Sequence, residues 1–267
     1  MKALITFLAQ LGIIGSLEAR DCFFEQKKFE QDDFFAEARF YPHAGSHNTI
    51  LILPPTGGTN LIDRSYARLF CAEGFNVYIL DKYKGYDEYN LDLDIHKRYY
   101  GRTQRAVDLI LGQIPGDNSV GILGTSVGAL HAAIAIGRVD RIRNGLIITG
   151  AADIAATIVD SDQGVMKDAR EKRNKMFGFK NRDEYYNELK KHIELDPLFY
   201  ASNFPGKKIS MVIATKDTTV PVANQILLKD IAKPTHVMEL NDDHFWAIMK
   251  TWVFHRKFVI SSFSDKN

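Results

Sequence analysis

Apolar residues fall in two patterns along this chain: short runs, and longer stretches in which they recur every three or four positions. Positions 49–53, 76–80, 120–123, 145–150 and 209–214 are mostly apolar runs of the first kind. Such a run predicts a strand buried on both faces, the mark of a parallel sheet covered by helices. Between them the spacing is helical. Asn60 is placed to cap a helix whose Ile62, Tyr66, Leu69 and Phe70 share one face and which Gly74 ends. Val107, Ile110, Leu111 and Ile114 mark a second helix, stopped by Pro115-Gly116, and Ala129-Leu130-His131-Ala132-Ala133-Ile134 a third. Pro221 opens another, and a strand at 236–240 leads into a final helix rich in Trp246, Met249, Trp252 and Phe258.

Two regions depart from this alternation. Residues 21–41 carry aromatics among charges, and Ala36-Glu37-Ala38-Arg39-Phe40 alternates as a half-exposed strand does, which predicts an opening antiparallel hairpin. From Ala151 to about Pro205 no strand run occurs. Asn181 and Glu184 read there as a capping box, and Tyr186, Leu189 and Ile193 recur at helical spacing, so a helical insertion is expected at about 151–205. Strands alternating with helices give an α/β class with helices on both faces of a mostly parallel sheet. Five tyrosines, at 83, 86, 89, 99 and 100, are placed between the 76–80 strand and the helix after it, either lining a pocket or packing under a long loop.

Length and composition admit one large domain with a sizeable core: 267 residues, 45% hydrophobic, with 17 Phe. Lys and Arg (34) nearly balance Asp and Glu (33), so nothing electrostatic points to nucleic acid. No apolar run reaches the ~18 residues of a membrane span. Between 165 and 191 nine Lys/Arg outnumber five Asp/Glu, either a surface that draws anions or simply a solvated helical face. The eight His are scattered without ligand spacing, and neither cysteine has a CxxC neighbour, so neither metal nor cofactor is called for.

Met1-Lys2, the apolar stretch 3–14 and a small residue at Ala19 are the parts of a secretory signal, giving a mature chain from Arg20 and a secreted or periplasmic protein. The alternative is an amphipathic N-terminal helix on a cytoplasmic protein. In an exported chain Cys22 and Cys71 are free to pair; in a cytosolic one they are buried thiols.

The chemistry centres on Gly124-Thr125-Ser126-Val127-Gly128, a G-x-S-x-G turn between a buried strand and a small-residue helix. Such a turn holds its serine in strained geometry at the carboxyl edge of the sheet, and the Val127 N–H opens the following helix, where it can meet a developing oxyanion. Asp217 follows the 209–214 strand, and His244 follows the 236–240 strand. All strand carboxyl ends lie on one edge of a parallel sheet, so these three residues can converge. Serine needs an imidazole to take its proton, and the imidazole needs a carboxylate to fix its tautomer. Asp153 is a competing acid, better read as a loop or cap residue. His131, five residues past Ser126, reads as packed or solvated, and Asp242 and Asp243 as loop residues.

From about Phe23 to the C-terminal helix, with Gly124-Thr125-Ser126-Val127-Gly128, Asp217 and His244 in family order, the chain resembles the α/β-hydrolase family. The resemblance implies a serine esterase or lipase-like enzyme without cofactor, acting on a small-molecule acyl ester. A thioesterase, peptidase or acyltransferase, or a non-catalytic binding member of the fold, are its alternatives. The family's His-Gly before the oxyanion residue is replaced by Pro54-Pro55, which have no N–H. By position the oxyanion hole is then Thr56 and Val127, with Gly57 the alternative to Thr56. The insertion at 151–205 is expected to cap the site, with Phe177 and Tyr186 as candidates for controlling acyl preference.

Overall fold

The computed structural model describes residues 22–264, apart from 87, 89 and 117. The expected signal segment 1–19 and Tyr89 therefore lie outside the described residues. The elements are β1 (Glu25–Gln31), β2 (Phe34–Tyr41), β3 (Asn48–Leu53), α1 (Leu61–Ala72), β4 (Asn76–Tyr83), α2 (Asp94–Gly112), β5 (Ser119–Thr125), α3 (Val127–Arg138) and β6 (Ile142–Ile148). Helices α4 (Ile154–Asp160), α5 (Gly164–Phe177), α6 (Arg182–Lys191) and α7 (Pro197–Tyr200) follow. The chain then closes with β7 (Lys208–Ala214), α8 (Val222–Ala232), β8 (His236–Leu240), α9 (His244–Phe254) and α10 (Arg256–Ser261).

The strands form one eight-stranded sheet in the order β1-β2-β4-β3-β5-β6-β7-β8. The first hairpin is antiparallel and joins β4 antiparallel, while every pairing from β4 to β8 is parallel. Burial follows position. Beyond their first residues, β3, β5 and β7 are buried throughout, whereas edge strand β1 is mostly exposed. The sequence of β1, EQKKFEQ, is the charged kind that keeps an open edge from pairing with another chain.

Successive strand residues feed opposite layers. Leu51, Leu53, Ile122 and Met211 pack with Ala106, Ile110, Ala132 and Leu228 of α2, α3 and α8. Ile50, Ile52, Leu123 and Val212 pack with Tyr66, Phe70 and Val259 of α1 and α10. A third cluster joins Ile154, Ile158, Tyr185 and Leu189 to Tyr100 and Leu130, seating the helical stretch between β6 and β7 on α2 and α3. Cys22 and Cys71 form a disulfide that ties the start of the described chain to α1. Among the described residues no helix is long and apolar enough to cross a membrane.

Four local expectations are corrected. Helix α2 starts at Asp94, so Tyr99 and Tyr100 lie inside it rather than before it. The Asn90 and Asp92 carboxamide and carboxylate accept the N–H groups of Asp92 and Asp94, starting the helix well before its clearest apolar stripe. At α6 the Asn181 side chain caps the Glu184 N–H, but the Glu184 carboxylate turns to the Lys180 N–H instead of closing the box. The buried tyrosine of α6 is Tyr185, with Tyr186 half-buried beside it. The last helix is two, broken at His255, which lets Val259 and Phe263 turn back onto the sheet.

Candidate active site

Ser126 stands between β5 and α3 with φ 58° and ψ −123°, backbone that a non-glycine residue adopts only when its surroundings force it. The surroundings are two close backbone approaches. A Cβ on Gly124 would come within 2.3 Å of the Gly128 carbonyl oxygen, and one on Gly128 within 2.0 Å of that of Leu53. The strand end and the helix start are thus pressed together, and the Ser126 N–H is fixed to the Ile148 carbonyl at 3.0 Å.

Asp217 lies in the loop after β7 with its carboxylate fully buried. Oδ1 accepts the N–H groups of Thr219 and Val220, both at 2.9 Å, and Oδ2 accepts Gln225 Nε2 at 2.9 Å. Oδ2 also faces His244 Nδ1 at 2.7 Å, and His244 Nε2 faces Ser126 Oγ at 2.9 Å. His244 is the first residue of α9, whose N-cap Asp243 accepts the Trp246 N–H. The two loops are stitched together: the Thr215 N–H donates to Leu240 and the Lys216 N–H to Asp242. Ser126, Asp217 and His244 therefore form one hydrogen-bonded chain from a buried carboxylate to a hydroxyl. An ionised Asp217 fixes the proton on Nδ1 and leaves Nε2 as an acceptor for the serine.

Thr56 and Val127 border a cavity of about 50 Å3 that opens onto Ser126. Among the described residues neither N–H has a protein acceptor, so both are free to donate. Gly57 does not line that cavity. The cavity wall includes Ile158 and Met166 of the helical stretch, and not Phe177 or Tyr186. Phe177 faces outward, and the Tyr186 hydroxyl is drawn to Asp153 Oδ2 at 2.9 Å.

The competing residues have other work. Asp153 is the N-cap of α4, accepting the Ala156 N–H. Asp242 pairs with Lys250. His131 is buried against Tyr99 and Tyr100, away from Ser126 in its bonding, and burial pushes its pKa down to about 3. Three of the basic residues of this stretch are paired with nearby acids: Lys172 with Asp168, Arg182 with Asp160 and Lys191 with Glu188. Arg173 is buried and donates to the Leu91 and Asp92 carbonyls, the Tyr185 hydroxyl and His96, pinning α5 to the segment before α2. Among the described residues no Lys or Arg lines the cavity beside Ser126.

Sequence reasoning passed over two groups. Gln225 is fully buried under Asp217, in a helix that also carries Asn224, Lys229 and Asp230, so its sequence did not single it out. Ser161 and Asp162 bind Thr218 and Thr219, clasping the helical stretch to the Asp217 loop. Nothing in the local pattern of either segment announces that contact.

The sheet order, the parallel core entered through an antiparallel hairpin, and a strained serine between β5 and α3 define the α/β-hydrolase fold. No protein-family model and no curated protein sequence matches the chain. Among solved structures it is similar in fold to the esterase Pf2001 of Pyrococcus furiosus, at 16% identity over 90% of each chain with a TM-score of 0.62. It is similar too to Est1E from Butyrivibrio proteoclasticus, at 13% identity over 89% of this chain and 98% of that one, TM-score 0.63. Pyrococcus horikoshii acylaminoacyl peptidase matches 96% of this chain at 15% identity and TM-score 0.68, and this chain spans 44% of that one.

Proposed function

We propose that the protein is a serine hydrolase that cleaves a small carboxylic ester through an acyl-enzyme. The observation that carries this reading is the continuous relay of 2.7 Å and 2.9 Å contacts from buried Asp217 through His244 to Ser126. In the proposed first step Ser126 Oγ attacks the ester carbonyl carbon while its proton passes to His244 Nε2. The carbonyl oxygen becomes an oxyanion and takes hydrogen bonds from the Thr56 and Val127 N–H groups, which bind it more strongly than the ground-state carbonyl. The imidazolium, held by Asp217, gives its proton to the leaving alkoxide oxygen as the C–O bond breaks. Water then attacks the acyl-Ser126 carbonyl, its proton goes to His244, and collapse releases the carboxylic acid with Ser126 restored. The helices between β6 and β7 cap the site and shape the acyl side through Ile158 and Met166.

Esterases among proteins of like fold support the ester substrate. The Cys22–Cys71 disulfide supports an exported protein, since such bonds persist in oxidising compartments. The test is covalent labelling by a fluorophosphonate together with turnover of aryl esters, aryl thioesters and anilides. Ester turnover that Ser126→Ala abolishes along with labelling is the expected result. Anilide turnover exceeding that of the matched ester overturns the ester reading, and full activity in Ser126→Ala overturns the mechanism. Exported protein is expected to begin near Arg20 by intact mass, and retention of residues 1–19 overturns the compartment.

A further inference from the structure

Beyond the Thr56 and Val127 groups at the serine itself, the wall beside Ser126 carries a phenol and a side-chain amide without a protein partner among the described residues. Tyr100 is only 4% exposed, its ring wedged against Tyr99 and His131 at 5.4 and 4.9 Å between centroids. Its hydroxyl bonds to nothing among the described residues, although the residue borders the cavity. Burial pushes the phenol pKa up, so the group stays a neutral O–H. Gln163, half-buried at the same wall, uses its backbone N–H with Ser161 but leaves its side-chain amide unengaged.

The neighbouring hydroxyls differ. Thr157 Oγ1 donates to the Asp153 carbonyl at 3.0 Å and accepts from Asn224 at 2.9 Å. Ser161 Oγ donates to the Thr219 carbonyl at 2.7 Å and accepts the Gln163 N–H. The Tyr100 phenol and the Gln163 amide, on residues that border one small space, are therefore free among the described residues to bond a ligand that enters it.

Three facts say which part of a substrate meets them. His244 is not part of this wall, whereas Thr56, Val127 and Ser126 are. The leaving oxygen must lie within reach of His244 Nε2, so the cavity receives the acyl portion. A volume of about 50 Å3 holds roughly four non-hydrogen atoms. Among the described residues the wall carries no charged side chain, which disfavours a carboxylate or ammonium substituent.

We infer that the preferred acyl group is short, about four carbons or fewer, and bears a neutral hydroxyl or similar polar substituent bound by the Tyr100 phenol and the Gln163 amide. This inference rests on the ester-hydrolase reading of Ser126.

The experiment compares p-nitrophenyl butyrate with the 2-hydroxy- and 3-hydroxybutyrate esters on wild type, Tyr100→Phe and Gln163→Leu, each checked for its melting temperature. In wild type at least one hydroxy ester is expected to exceed butyrate about tenfold in kcat/KM, with most of the difference in KM. In Tyr100→Phe, and to a lesser degree in Gln163→Leu, that ratio is expected to fall toward one. A second arm needs no turnover: hydroxybutyramide is expected to protect Ser126 from fluorophosphonate at about one tenth the concentration of butyramide. Equal kcat/KM for all esters with equal protection by both amides overturns the inference and leaves the ester reading intact. Absence of ester turnover with the protection ratio preserved overturns the ester reading alone. A preference that survives unchanged in both variants overturns the assignment to Tyr100 and Gln163.

Discussion

Gln225 donates its side-chain amide to Asp217 Oδ2 at 2.9 Å while its own Oε1 accepts the Ala214 N–H at 3.1 Å. One buried side chain therefore joins the end of β7 to the acid three residues beyond it. The same Nε2 also donates to the Val220 carbonyl at 2.7 Å, which closes the loop around the carboxylate. Gln225→Leu keeps the bulk but leaves an N–H, a carbonyl and a carboxylate oxygen each one partner short. Folding stability is expected to fall by about 1–3 kcal/mol in urea unfolding. A hydrogen bond lost from the relay is worth roughly tenfold in kcat. KM is expected to hold. A variant that loses stability but retains full kcat assigns Gln225 to the fold alone.

The relay gives an order of severity for substitutions. Ser126→Ala and His244→Ala are each expected to lower turnover by a factor on the order of 10⁴ to 10⁶, and the double variant little further, because the two act as a unit. Asp217→Asn is expected to cost about 10⁴, since the amide stabilises the wrong imidazole tautomer. Asp153→Asn removes no part of the relay, as its carboxylate caps α4 and holds Tyr186. Its effect is expected to be smaller by decades. Steady-state kinetics on one ester decides the order, and an essential Asp153 with a dispensable Asp217 reverses the assignment.

Two glycines separate close approach from mere flexibility. Gly128→Ala drives a methyl to 2.0 Å from the Leu53 carbonyl and 2.4 Å from that of Pro54, both backbone atoms at the root of the Thr56 loop. It is expected to cost at least about 1–3 kcal/mol and to abolish fluorophosphonate labelling even where protein is recovered. Gly101→Ala meets nothing within 4 Å on α2. It is expected to stabilise by about 0.5–1 kcal/mol. Thermal unfolding of the pair checks both signs.

These contrasts bear on what the chain order discloses. The parallel core was legible because β3, β5 and β7 are short, mostly apolar runs without the alternation of a half-exposed strand, as burial on both faces favours. Ser126, Asp217 and His244 were legible as neighbours because each follows a strand, and parallel strands end on one edge. The start of α2 was not legible, because Asn90 and Asp92 begin it amid tyrosines and charges that carry no clean helical period. Nor was the cavity wall. Phe177 and Tyr186 have the size expected of specificity residues, but one points to solvent and the other answers to Asp153. Which residues of a helical stretch face a site depends on how it docks. Here docking is set by long-range contacts such as Ser161 with Thr219 and Arg173 with Leu91.

The Cys22–Cys71 bond spans 49 residues of sequence, from ahead of β1 to the last turn of α1. Closing a loop of that length is expected to stabilise by about 4 kcal/mol through the unfolded chain. Neither cysteine contacts the relay. The Cys22→Ser, Cys71→Ser double variant is therefore expected to unfold at lower denaturant while keeping its kcat at 25 °C. Parallel urea curves and ester turnover, with and without reductant, check this. Loss of kcat in fully folded protein ties the bond to the Thr56 loop that precedes α1.

His131 supplies a pH dependence with a definite sign. Neither ring nitrogen has a hydrogen-bond partner, the residue is buried, and the burial alone pushes its pKa from 6.5 down to about 3. The unfolded chain therefore binds a proton below about pH 6.5 that the folded chain refuses until about pH 3. Above that window the group favours neither state; as pH falls through it, stability is lost. Between pH 8 and pH 5 this one residue is expected to remove about 2 kcal/mol. Half-buried His96, held down to about 3 by desolvation and by Arg173, adds in the same direction. His131→Phe keeps an aromatic ring against Tyr99 and Tyr100 and sacrifices no hydrogen bond. The variant is expected to match wild type within about 1 kcal/mol at pH 8 and to exceed it by about 2 kcal/mol at pH 5. Urea unfolding at the two pH values measures the difference. An equal loss in wild type and variant means that His131 takes up its proton in the folded state, through a partner such as a bound water under Tyr99.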